Sequence, residues 1–122
     1  MSDEQLVKER LELILEHTAV LIERISLVPD ADWFTSTEEG ELLFDSLIAR
    51  LQPIGENIKK IEKVKPGFTK ENLQLLPENI IRFRDLISHH YELLDPQIIF
   101  NICKNDIVQL RQAVLNYLNV HQ

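Results

Sequence analysis

The stretch VKERLELILEHTAVLIERISLV, residues 7–28, decides the fold class. Val7, Leu11, Ile14, Thr18, Leu21, Ile25 and Val28 recur at alternating intervals of four and three, the spacing that aligns one stripe of an α-helix. This predicts a long first helix. Pro29-Asp30-Ala31-Asp32 breaks it, and Thr35-Ser36-Thr37-Glu38-Glu39 then offers hydroxyl caps followed by acids suited to a helix N-terminus. Leu43, Leu47, Leu51, Ile54, Ile58 and Ile61 carry the spacing through a second helix, with a kink expected at Pro53, which lacks a backbone donor.

Lys65-Pro66-Gly67-Phe68 stops that helix, and a short helical turn is expected between residues 65 and 77. Pro77 suits the first turn of a third helix bearing Ile80, Phe83, Ile87 and Leu94. Asp95-Pro96 is a cap followed by a first-turn proline, and it opens a last helix with Ile99, Cys103, Ile107, Leu110, Val114 and Tyr117 on its stripe. Amphipathic helices joined by mostly short connections predict an all-α, antiparallel, up-and-down four-helix bundle.

Composition agrees. The chain has 122 residues, 44% hydrophobic and 27% charged, enough for one packed domain spanning 1–122 and unlike a disordered tail. Three Gly and five Pro are too few turn residues for a β-sandwich or barrel. The formal charge of −7 argues against a diffuse basic surface, so any anion site must be local. The charged N-terminus has no uninterrupted apolar run, so neither a signal peptide nor a membrane span is expected, and the protein is expected to be cytoplasmic. Cys103, the single cysteine, reads as a small core residue. His17 and His121 stand apart from the other histidines, so no metal site is expected. Trp33, in the first connection, is expected over a bundle end or at an interface.

The third helix carries polar residues that bundle packing does not require. Arg82, Arg84, Asp85, Ser88, His89, His90 and Tyr91 crowd into one stretch. A guanidinium grips phosphate through paired hydrogen bonds, and an imidazole with a reference pKa of about 6.5 moves protons near neutrality. Together they are a minimal kit for cleaving a phosphodiester. The bland alternative is that Arg84 pairs with a neighbouring surface acid and Tyr91 is a half-buried bundle tyrosine.

Arg84-Asp85-Leu86-Ile87-Ser88-His89-His90-Tyr91 reads as Arg-x4-His-x-Tyr and resembles the signature of HEPN-domain proteins, most closely the HepT toxins that pair with MNT nucleotidyltransferase antitoxins. The resemblance extends to Ile54-Gly55-Glu56 on the second helix, to Asp95 opening the last helix, and to Ile98–Ile102 and Lys104–Asp106 within it. It implies a homodimeric, metal-independent endoribonuclease toxin that needs no cofactor, with the two signature helices meeting in a cleft across the dimer interface. Arg84 would neutralise the scissile phosphate. His89 would take the ribose 2′-OH proton or protonate the leaving oxygen, with Asp85 in support. Tyr91 would receive AMP from the antitoxin, which would block the anion site beside Arg84. The substrate would be tRNA or mRNA.

Geometry adds a condition. Residues five apart on a regular helix are separated by about 140° at roughly 100° per residue, so Arg84 and His89 do not share a face. The pair converges if the helix loosens near Leu94-Asp95, or if a two-fold axis brings Arg84 of one subunit to His89 of the other, and the dimer is the favoured reading. Position near a helix C-terminus also favours a charged imidazole. His90 points elsewhere than His89 and reads as a packing or subunit contact. Lys59, Lys60 and Lys63, in a cluster continued by Lys65 and Lys70, are candidate RNA contacts together with Arg82. Two other functions remain open: a non-catalytic substrate-binding subunit of a nucleotidyltransferase, and a structural dimerisation bundle.

Overall fold

Ser2 starts the first helix by a reciprocal exchange: its hydroxyl accepts from the Gln5 backbone N–H and its own N–H donates to the Gln5 side chain. From there α1 runs over Asp3–Ile25, and every position of the expected stripe is buried, Val28 included although it lies in the turn beyond the helix. The computed structural model describes residues 1–75, 77–88 and 94–120. Among them the helices that follow are α2 (Trp33–Ser36), α3 (Glu38–Val64), α4 (Phe68–Asn72), α5 (Pro77–Ser88), α6 (Pro96–Asn101) and α7 (Ile107–Val120), with a π-helical turn, Ile102–Asp106, joining the last two. The molecule is an all-α bundle.

Two features depart from expectation. The first connection contains α2, whose Phe34 is buried against Phe44 and Phe100 in edge-to-face contacts at 5.1 and 6.5 Å. Trp33 packs, partly buried, on the same core. The last helix is not one regular α-helix, because the π-helical turn interrupts it. Other boundaries agree: Thr37 caps α3 by accepting from the Gly40 N–H at 2.8 Å, α3 continues through Pro53, and α4 occupies the 65–77 connection.

Gly40 is obligatory, since a Cβ there would lie 1.9 Å from the Trp33 carbonyl oxygen. Gly67, at φ +85°, holds the left-handed turn before α4. Glu62 closes that turn from α3 by accepting from the N–H groups of Gly67 and Thr69 and from the Thr69 hydroxyl.

α1 packs against α3 and α7, while α3 also packs against α5. Three side-chain rungs fix α1 antiparallel to α3: Arg10 donates to Asn57 (3.3 Å), Arg50 meets His17 (3.3 Å) and Arg24 donates to Ser46. Arg111 ties α7 to α1 by donating to the Leu15 carbonyl at 2.7 Å and to Thr18 at 3.2 Å. The core is one contiguous cluster running through all these elements, with Leu11, Ile14, Leu47, Leu51, Ile54, Ile99 and Leu110 fully inaccessible. Among the described residues no helix is long and apolar enough to cross a membrane.

Candidate functional site

α5 carries the signature. Pro77 occupies its first turn, where a missing N–H costs nothing, and Glu78 follows as a first-turn acid. Asn79 is buried and Ile80 half-buried, whereas Ile81, Arg82 and Asp85 face solvent. The helix therefore presents a polar edge while resting on α3.

A second anchor comes from the π-helical turn. Arg82 Nη1 lies 2.6 Å from Asp106 Oδ2, with Arg82 half exposed and Asp106 nearly covered. Asp106 is the last residue of that turn, so the carboxylate that meets Arg82 sits on the irregular part of the last helix. In the sequence Asp106 stands out only as part of Lys104–Asp106; its partner lies 24 residues away, a separation that helical spacing does not reveal.

Arg84 lies on α5 by its backbone, and its side chain is outside the described residues, as are His89, His90 and Tyr91 entirely. Asp95 caps α6 by accepting from the Gln97 N–H at 2.8 Å, with Pro96 in the first turn. Lys59, Lys60 and Lys63 are exposed on α3, with Lys70 exposed on α4 and Lys65 half-buried between them. Ile54 and Gly55 are buried and Glu56 is half-buried on α3.

Cys103 is fully buried in the π-helical turn, and burial first, then the Asp106 carboxylate, pushes its thiol up to about 12. That thiol is a packing group. Burial first, and then the adjacent Arg50, lower the pKa of His17, against a smaller opposing pull from Glu16. It is the middle rung between α1 and α3. Among the described residues no three His, Cys, Asp or Glu side chains gather as a metal-holding group.

The family model described as ribonuclease HepT-like matches residues 7–116, a span that takes in every helix from α1 to most of α7. No curated protein and no solved structure matches the chain.

Proposed function

The chain belongs to the HepT-like ribonuclease family, and on that premise we propose that it is a metal-independent toxin endoribonuclease, active as a homodimer and silenced by an MNT-type nucleotidyltransferase antitoxin. The observation that carries this reading is the family match over residues 7–116, which encloses Arg84, His89 and Tyr91 in the order and spacing of the signature. The polar edge of α5, held by α3 on one side and by Asp106 on the other, supports it.

In the proposed chemistry the ribose 2′-OH attacks the adjacent phosphorus, the bond to the 5′-oxygen of the next nucleotide breaks, and a 2′,3′-cyclic phosphate remains. Arg84 offsets the charge that develops on the phosphoryl oxygens, an effect worth about 10²–10³ in rate for a well-placed donor. His89 moves the proton, worth about 10²–10⁴. A two-fold axis would supply two copies of each group to one cleft, so that one imidazole serves as base and the other as acid. Asp85 orients the pair. The substrate is tRNA or mRNA, met in the cytoplasm.

Tyr91 follows Arg84 by seven residues, a spacing that on a regular helix would bring the two within about 20° of each other. AMP attached there by the partner would place phosphate beside the guanidinium that RNA needs, with a charge that repels the substrate. The test is induction of the chain with no partner, beside His89→Ala. Arrested growth with fragmented RNA, both absent in the variant, is the expected result. Normal growth with intact RNA from soluble, unmodified protein would favour the substrate-binding subunit instead.

A further inference from the structure

The three rungs that join α1 to α3 have a common peculiarity. Arg10 is held by the Asn57 amide, Arg50 by the His17 ring and Arg24 by the Ser46 hydroxyl, all neutral groups, and among the described residues no carboxylate lies within ion-pair distance of any of the three guanidiniums. In a chain with 20 acids and 13 Lys and Arg, three arginines fixed in place with no carboxylate at ion-pair distance among the described residues are unusual. All three are half-buried, so the forks are held in place before anything binds.

The rungs line a continuous groove. Two concavities of about 470 and 230 Å³ share His17, Ala49 and Pro53, one reaching Arg10 and Lys60 and the other Arg24 and Arg50. Glu56 is the one carboxylate in the lining among the described residues. Arg10, His17 and Arg24 are seven apart, which keeps them on one side of α1 at intervals of about 10.5 Å and gives a track of about 21 Å. Leu13, Ala49 and Pro53 supply an apolar floor between the polar positions. Because α3 packs against both α1 and α5, this groove and the signature helix lie against the same central helix through different packing partners.

We infer that the α1–α3 groove is a phosphate track for a single-stranded stretch of RNA, with Arg10, Arg24, Arg50 and Lys60, none of them a signature residue, as its backbone contacts. For the identity of the polyanion this rests on the ribonuclease reading. Planar guanidiniums grip phosphate oxygens through paired hydrogen bonds, and cations spread along two helices would let an acidic protein hold RNA locally. An acidic face of a second copy is the competing occupant.

The test measures anisotropy of a labelled RNA oligonucleotide with the full chain carrying His89→Ala, so that binding is read without cleavage. Arg10→Gln, Arg24→Gln and Arg50→Gln are then added together, glutamine being chosen because it retains helix propensity and hydrogen bonding. The expected result is affinity weakened tenfold or more, and a plot of log affinity against log salt shallower by about 2, at about 0.7 for each phosphate no longer neutralised. Unchanged affinity and slope overturn the proposal. So does a fall in assembly mass with RNA affinity intact, which would assign the groove to a second copy. If the triple variant does not fold, Arg24→Gln and Lys60→Gln singly should each lower the slope by about 0.7, and no change in either overturns it. A chain that binds RNA through the groove yet cuts none would sink the ribonuclease reading and leave this one standing.

Discussion

Arg82 of α5 and Asp106 of the π-helical turn meet at 2.6 Å, joining the signature helix to the irregular turn that precedes α7. The pair is part exposed, so its contribution to stability is about 0.2–1 kcal/mol, and its larger effect is on where α5 sits. Arg82→Ala and Asp106→Ala should each lower stability within that range, and the double variant should cost no more than either alone. A denaturation double-mutant cycle measures the coupling. The same variants decide whether Arg82 also touches RNA: if it does, Arg82→Ala weakens RNA binding while Asp106→Ala, which frees the guanidinium, does not.

Cys103 should be silent toward thiol reagents in the native protein. Its pKa of about 12 and complete burial leave almost no thiolate at neutral pH. Ellman's reagent should therefore report one thiol only as the chain unfolds in denaturant. Rapid labelling of the native protein would show that the π-helical turn opens readily.

His17 makes stability depend on pH in a set direction. Its folded pKa is lowered, first by burial and then by Arg50, so the unfolded chain binds more protons than the folded one at mildly acidic pH. Stability attributable to His17 is thus fully present above the unfolded value of about 6.5 and falls as pH drops toward the lowered folded value. Thermal melts between about pH 5 and 7.5, a window that brackets that unfolded value, should show a steeper decline for the wild type than for His17→Gln. Parallel curves would contradict this account of the middle rung.

Gly40→Ala should destabilise the α2–α3 junction by about 2–3 kcal/mol, the cost of overpacking, because the added methyl group would meet the Trp33 carbonyl oxygen at 1.9 Å and the Thr37 hydroxyl at 2.8 Å. Loss of native Trp33 fluorescence before global unfolding would locate the damage.

The core is legible in the sequence because burial follows a period. Each stripe position of α1 is buried, and so are Leu47, Leu51, Ile54, Ile58 and Ile61 of α3. The π-helical turn is not legible, although a trace of it exists. Ile99, Cys103 and Ile107 are spaced four and four, which on a regular helix drifts by about 80°. All three are nevertheless fully buried, because the wider turn absorbs the drift. Leu43, Leu47 and Leu51 have the same spacing on unbroken α-helix, and there Leu43 slips to a half-buried edge. α2 escapes a sequence reading because four residues carry no period, and the core contacts of Phe34 and Trp33 help to hold it. As for the site, Arg84-x4-His89-x-Tyr91 is a linear pattern and can be read directly, whereas the Arg82–Asp106 tie and the rungs to Asn57, Arg50 and Ser46 depend on pairings across the bundle. The repeat Arg10, His17, Arg24 is the signal that the sequence offers for those rungs.

The most direct test of the ribonuclease assignment is cleavage of end-labelled RNA by the purified chain in the presence of EDTA, with His89→Ala prepared in parallel. The account predicts fragments ending in 2′,3′-cyclic phosphate from the wild type and a rate lower by about 10²–10⁴ in the variant. Intact RNA from folded, unmodified wild type, or equal cleavage by the two proteins, would contradict it.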